Sequence, residues 1–171
     1  MDKHPEQILK NWEGNPLKGA KEIIQKDGYP QEATESKLVW HHNGAWKRTI
    51  VHRETVPHNF PHPHPDFLEQ TIDYQVPPQL YDDIVIFDGS LTIDRTKGEV
   101  TSMCDQEAMN LLSINIMNDI VMGRCDVQSA KAFLSDTAYM YLKMGQSSPY
   151  TEGFLFPRQF NTGDPGICYF E

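Results

Sequence analysis

The chain has 171 residues, of which 39% are hydrophobic and 23% are charged, and its formal net charge is −9. These values are typical of a folded globular domain and exclude a disordered or collagen-like chain. The length is too short for an eight-stranded α/β barrel, which needs about 250 residues. We therefore expect one domain that spans residues 1–171.

The excess of acidic residues argues against nucleic acid as a partner. The chain has 24 acidic and 15 basic residues, and its pI is about 5.2. Binding to DNA or RNA depends on neutralising phosphates with Lys and Arg. We therefore expect no nucleic-acid partner.

Neither a membrane span nor a secretion signal is predicted. No apolar run approaches the roughly 20 residues that cross a bilayer, and the opening residues lack the apolar core of a signal peptide. The three cysteines, Cys104, Cys125 and Cys168, are widely spaced and form no CxxC pair. We expect free thiols, a cytoplasmic location and no membrane partner.

Charge and histidine are unevenly distributed along the chain. Residues 1–60 carry 9 basic and 8 acidic side chains, whereas residues 61–171 carry 6 and 16. All seven histidines lie within the first 64 residues, and six of them lie between His41 and His64. Imidazole titrates near neutral pH and is the commonest transition-metal ligand, so this segment is the first place to look for a site.

The first part of the chain predicts a helix followed by a β-hairpin. Asn15 is expected to cap a helix that begins at Pro16 and ends at Gly28. Two β-rich runs then flank Asn43-Gly44, a pair that favours a type I′ turn. With that turn Trp46 lies opposite His41, and one face of the hairpin carries six residues: Val39, His41, Trp46, Arg48, Ile50 and His52.

Strands are predicted after the Pro-rich stretch 57–65, and helices follow them. Residues 67–76 alternate as a strand, and residues 77–87 fit either a helix or a strand, with a preference for helix. A second hairpin turns near Lys97-Gly98. Asp105 is expected to cap a mostly buried helix over 106–122, and Asp126 a second helix that reaches Tyr141. Three asparagines of the first of these two helices are expected at its solvent edge or against the preceding loop: Asn110, Asn115 and Asn118. The alternative is that they form a polar network beneath the sheet.

This element order predicts an α+β domain, in which an antiparallel sheet of about five strands has helices packed on one face. Residues 145–171 form an irregular C-terminal tail that contains six aromatic residues. Those rings need to be buried on the domain itself, on a second copy in a homodimer, or on another partner.

The predicted ligand-binding residues are His41, Trp46, Arg48 and His52. An aromatic ring, a guanidinium group and two imidazoles on one sheet face would bind a small anionic or aromatic molecule by stacking and charge-assisted hydrogen bonds. The alternative is that Trp46 packs under a helix while the polar groups reach the rim.

The predicted metal ligands are His62, His64 and Asp66. His62 and His64 lie two residues apart, so their side chains point the same way in an extended segment. A regular polyproline II stretch would place His58 about 19 Å from His64, which excludes His58 from the same ion. The alternative is that this stretch is an exposed, rigid connector.

Two functions follow from these residues. The first is a binding or interaction domain that recognises a small anionic or aromatic ligand on the His/Trp/Arg sheet face. The second is a metal-dependent hydrolase that uses the His41 to His64 cluster, or paired carboxylates at Asp73 and Asp94. The sequence contains none of the common catalytic motifs, such as GxSxG or HExxH.

Overall fold

The computed structural model describes residues 4–171. Its helices are α1 (Pro5–Leu9), α2 (Gly14–Asp27), α3 (Tyr81–Phe87), α4 (Glu107–Val121), α5 (Val127–Met144) and α6 (Pro149–Glu152), with a 3₁₀ turn at Pro78–Leu80. Its strands are β1 (Glu32–Ala33), β2 (Lys37–Asn43), β3 (Trp46–His58), β4 (His64–Asp73), β5 (Leu91–Asp94) and β6 (Glu99–Cys104). Residues 78–87 are therefore helical, as the sequence favoured for the segment 77–87.

The strands form one antiparallel sheet in the order β1-β2-β3-β4-β6-β5. The fold is α+β as predicted, and the sixth strand is the two-residue β1. Helix α2 packs on β3 and β4, and α4 packs on β4 and β6. Together they bury the apolar residues of one sheet face: Leu38, Trp40, Val51, Leu68, Ile72 and Val100. No helix in the described part of the chain is long and apolar enough to span a membrane.

The first hairpin has a different register from the predicted one. The turn consists of Gly44 and Ala45, so that Asn43 pairs with Trp46 and His41 pairs with Arg48. A type I′ turn at Asn43-Gly44 needs positive φ at both residues, but Asn43 stays in the strand and donates its side-chain amide to Asp27. The pairing shifts by two residues, and Trp46 lies on the helix side of the sheet rather than on the predicted face with Arg48.

The Pro-rich stretch is not the extended connector that the sequence suggested. Strand β3 runs to His58 and β4 starts at His64, and these two residues are paired across the hairpin. The pairing changes register between Val51 and Val56, where a bulge bends the strand. The hairpin loop contains a cis peptide bond at Phe60-Pro61. His58 and His64 therefore lie side by side rather than about 19 Å apart.

Helix α4 differs from its prediction in two ways. It begins at Glu107, and its N-cap residue is Gln106 rather than Asp105. Its asparagines are buried instead of lying at the solvent edge, because each side chain meets polar groups of the sheet or the tail. Asp126 caps α5 as predicted, since its side chain accepts a hydrogen bond from the Ser129 amide.

The C-terminal tail packs on its own domain for most of its length. Phe154 and Phe156 contact the main core, and Thr162 is buried against the Gly98 carbonyl. Asn115 holds the tail by donating to the Tyr150 and Gly153 carbonyls and accepting from the Leu155 amide. The last few residues are different, because they leave three large side chains exposed: Ile167, Tyr169 and Phe170.

Candidate functional site

The end of the β3–β4 hairpin gathers two histidines and a carboxylate. His58 pairs with His64, and Asp66 lies two residues further along β4, so that it shares a face with His64. The imidazole centroids of His58 and His64 are 4.9 Å apart. One ligand atom from each of His58, His64 and Asp66 lies within 4.8 Å of the other two.

The ring of His64 is held in a fixed orientation. Its Nδ1 lies 2.7 Å from the His62 carbonyl oxygen. A carbonyl oxygen only accepts, so Nδ1 carries a hydrogen and a neutral His64 presents the lone pair of Nε2. That Nε2 lies 3.0 Å from Oδ1 of Asp66. The His62 carbonyl is thus the kind of outer contact that orients a metal-binding histidine.

Asp66 is buried, with 3% of its surface exposed, and its two oxygens have different surroundings. Oδ2 accepts a 2.5 Å hydrogen bond from the Ser90 hydroxyl and lies 3.3 Å from Nδ1 of His58. Oδ1 has no hydrogen-bond partner among the described residues, even though Nε2 of His64 is near, because the contact lacks hydrogen-bond geometry. A buried carboxylate oxygen without a donor is costly unless a cation compensates it.

The loop between α3 and β5 supports this cluster from the side. The Ser90 hydroxyl lies 3.1 Å from Nδ1 of His58 while donating to Asp66. Asp88 accepts hydrogen bonds from the Ser90 amide and the Ser113 hydroxyl, and its Oδ1 lies 3.9 Å from Nε2 of His58. Asp88 therefore adds negative charge next to the cluster.

Cys104 lies beside His64, with its sulfur 3.4 Å from Nε2. Burial raises the pKa of the Cys104 thiol well above its ordinary value, and the carboxylates of Asp105, Asp66 and Asp88 raise it further. These surroundings oppose a free thiolate nucleophile. Burial by itself lowers the pKa of His64, but the Asp66 carboxylate and the His62 carbonyl outweigh it, so the net shift is upward.

Two spaces adjoin the cluster. A small cavity of about 20 Å³ lies on the helix side and is lined by His58, His64 and Cys104 among others. That volume holds about one water molecule. A wider groove of about 300 Å³ is lined by Asp66, Ser90, Glu69 and Thr92 among others. The carboxylate of Asp66 is thus reached from a groove large enough for a small organic molecule.

Of the three predicted metal ligands, the structure brings together His64 and Asp66. The His62 ring stacks near His64 at 5.1 Å between centroids, and its Nδ1 lies 3.1 Å from the Pro63 carbonyl. His62 contributes its carbonyl oxygen to the site instead of its ring. His58 takes the third position because the two strands pair directly at this point.

The four predicted ligand-binding residues on the sheet face are dispersed. The Trp46 indole is buried against Phe154 on the helix side, where it donates to Glu107. The remaining three have acidic neighbours in the described chain: Glu32 for His41, Glu99 for Arg48 and Glu69 for His52. Asp73 and Asp94 flank Glu99 on neighbouring strands, and each contacts a lysine.

The fold and the cluster together define an α+β domain with a two-histidine, one-carboxylate group at the end of a long hairpin. Neither a known protein family, nor a curated protein, nor a solved structure matches this chain. His58, Ser90 and Asp88 complete the group and were not predicted. The hairpin pairing of β3 with β4 was the signal that could have found His58.

Proposed function

We propose that this protein is a metal-dependent hydrolase that binds one transition-metal ion through His58, His64 and Asp66. The observation that carries the proposal is the contact between His64 and Asp66. In a neutral His64, Nε2 and the nearby Oδ1 of Asp66 are both acceptors, 3.0 Å apart, so a cation that contacts both atoms would stabilise the pair.

The donor set and the surrounding charge both favour a cation. Two imidazoles and one carboxylate are a ligand set for zinc and for ferrous iron. Metal–ligand bonds of about 2.1 Å place ligand atoms up to about 4.2 Å apart, so separations within 4.8 Å need only small side-chain movements. Within the described residues, no Lys or Arg forms an ion pair with Asp66, Asp88 or Asp105. The local field is therefore negative.

Three protein ligands leave a coordination position open, which is the pattern of catalytic zinc sites. The ion would supply Lewis acidity and activate water for attack on a polarised carbonyl or phosphoryl group. Ser90 orients the Asp66 carboxylate, and a substrate in the groove along Asp66 and Ser90 would approach the centre from the side of that carboxylate. Because carboxylates surround the site, we propose an uncharged ester or amide as the substrate.

Metal titration of the untagged protein tests this proposal. We expect metal-free protein to bind one Zn²⁺ per chain in calorimetry, and we expect His64→Gln and Asp66→Asn to weaken binding by at least 100-fold. His41→Gln, a histidine change on the exposed part of β2, is the matched control and should bind as the parent does. Hydrolysis of p-nitrophenyl acetate should appear with the metal and disappear in both ligand variants.

Two results would contradict the proposal. Equal zinc affinity of the parent and the ligand variants would place any bound metal elsewhere. Stoichiometric metal binding without hydrolysis of any uncharged ester or amide in a broad panel would leave a metal site and remove the hydrolase.

We further propose that the protein is cytoplasmic and that it forms a homodimer through the tail. All three cysteines are free, which supports a reducing, cytoplasmic location. The exposed side chains of Ile167, Tyr169 and Phe170 support a homodimer through the tail, because exposed aromatic surface commonly marks an interface. Sedimentation of the parent and of a Tyr169→Asp/Phe170→Asp variant tests the dimer, which only the parent should form.

A further inference from the structure

A second concave site lies at the opposite end of the β3–β4 hairpin from the His/Asp cluster. It is formed where the tail meets the first residues of β3 and the last residues of β4. Its volume is about 290 Å³. The walls include three apolar side chains, Ile72, Phe154 and Phe156, and three charged ones, Lys47, Asp73 and Arg158. We call this space the tail pocket.

The aromatic wall of the tail pocket is fixed by the core. Phe154 packs edge-to-face on Trp46 at 5.0 Å between centroids, and Phe156 packs in the same way on Tyr74 at 5.4 Å. Trp46 and Tyr74 are themselves buried. Because both rings rest on buried rings, the wall is preformed and its order does not have to be created on binding.

Hydrogen bonds also hold the backbone that carries this wall. The Leu155 amide, between the two phenylalanines, donates to the buried side chain of Asn115. Gln159 accepts a hydrogen bond from the Gln75 amide, which fixes the far side of the pocket to the chain after β4. The tail pocket is therefore bounded by anchored segments, although the tail has little regular secondary structure.

The two cations of the tail pocket differ in their partners. The Lys47 ammonium lies 2.6 Å from Asp73 and 2.9 Å from Glu99, so its charge is compensated. Arg158 has no carboxylate partner among residues 4–171, and its guanidinium lies 5.2 Å from the Phe160 ring. A guanidinium group binds a carboxylate through two parallel hydrogen bonds.

We infer that the tail pocket binds a small molecule that has a planar aromatic body and one carboxylate. The aromatic body would lie against Phe154 and Phe156, and the carboxylate would meet the guanidinium of Arg158. A single uncompensated cation matches a single negative charge, and the net charge of −9 disfavours more highly charged anions. The tail pocket does not depend on the proposed metal centre. It replaces the sheet face as the proposed site for a small anionic or aromatic ligand.

Calorimetric titration with 2-naphthoate, in buffer that contains a chelator, tests the inference. We expect saturable binding of one 2-naphthoate per chain, and binding of the uncharged 2-naphthamide should be weaker by about tenfold or more. We expect the affinity of Arg158→Gln for 2-naphthoate to be no higher than the affinity of the parent for 2-naphthamide. Arg53→Gln, a matched change at an exposed arginine on β3, should leave the affinity unchanged. Arg158 is exposed, so its variant is expected to fold, and circular dichroism checks this.

Three outcomes would overturn the inference. The first is no saturable binding of 2-naphthoate by the parent, and the second is equal binding of the acid and the amide. The third is a gain in 2-naphthoate affinity when Tyr169→Asp/Phe170→Asp abolishes a dimer, because the pocket would then hold the tail of a second copy. The chelator keeps this test separate from the metal centre.

Discussion

Nε2 of His64 and Oδ1 of Asp66 lie 3.0 Å apart in the interior of the protein, and the other ring nitrogen of His64 donates to the His62 carbonyl. When His64 is neutral, these two acceptor atoms can bind one positive charge. A proton on Nε2 would form an imidazolium–carboxylate pair, and a metal ion would bind both atoms. The neighbouring imidazole of His58 favours the metal because it adds a third ligand.

Ser90→Ala is predicted to weaken metal binding. The Ser90 hydroxyl holds Oδ2 of Asp66 at 2.5 Å, so its removal frees the ligand carboxylate. Outer contacts of this kind contribute about 10- to 100-fold to metal affinity. Zinc calorimetry on Ser90→Ala and on the control Ser147→Ala, an exposed serine, checks the prediction. Equal affinity of the two variants would show that Asp66 is oriented without Ser90.

Gly98→Ala is predicted to displace the tail. Gly98 has a φ of +66°, and a Cβ there would lie 2.1 Å from the Thr162 carbonyl oxygen. Gly123 has a φ of +70° with open space around it, so it is a matched control. We expect Gly123→Ala to cost about 1–2 kcal/mol of unfolding free energy from φ alone, and Gly98→Ala about 2–5 kcal/mol.

Urea unfolding of both glycine variants measures these costs. Limited proteolysis should cut the tail of Gly98→Ala near residue 162 earlier than the tail of Gly123→Ala. Similar unfolding free energies and similar cleavage would contradict the close packing of Gly98 against the tail.

Asn115→Ala is predicted to be strongly destabilising. The Asn115 side chain makes three hydrogen bonds to the backbone around residues 150–155, and it is buried. Its loss leaves backbone groups without partners, which we expect to cost about 2–4 kcal/mol. Asn15→Ala, at an exposed asparagine in α2, should cost much less. A small loss for Asn115→Ala in thermal or urea unfolding would show that water replaces these bonds.

Stability is predicted to fall in acid partly through Glu99. Burial alone raises the pKa of Glu99, but hydrogen bonds from Lys47 and Arg48 outweigh it and hold that pKa below its ordinary value of 4.5. The ionised form is therefore favoured by folding, so its stabilising effect is present above pH 4.5 and is lost as the pH falls through the folded-state pKa.

Urea unfolding between about pH 6 and pH 3 measures this effect. Glu99→Gln should lose less stability over this range than the parent, and Glu54→Gln, an exposed control on β3, should follow the parent. The same acid dependence in all three proteins would assign no role to the Glu99 ion pairs.

Local patterns in the sequence predicted most of the fold. Alternation placed Leu68, Ile72 and Tyr74 in the core, and Gly98 marked the second hairpin turn. Turn chemistry alone did not predict the register at Asn43, because the partner of its side chain is Asp27 in a distant helix. The burial of Asn115 was also missed, since the tail that satisfies it has no periodic pattern.

The sequence predicted two of the three proposed metal ligands. His64 and Asp66 share a strand face, and that proximity follows from a period of two residues. A regular extended proline-rich stretch would keep His58 away from His64, whereas the chain reverses at 59–63 and pairs with itself. Ser90 and Asp88 come from the loop between α3 and β5, so only tertiary structure brings them to the site.

A crystal structure of the zinc-loaded protein, with diffraction data collected at the zinc absorption edge, would locate the metal directly. We expect one anomalous peak about 2.0–2.2 Å from a ring nitrogen of His58, Nε2 of His64 and an oxygen of Asp66. No peak at this cluster in zinc-soaked crystals, with His64 and Asp66 still in contact, would show that the pair holds a proton and would contradict the metal centre.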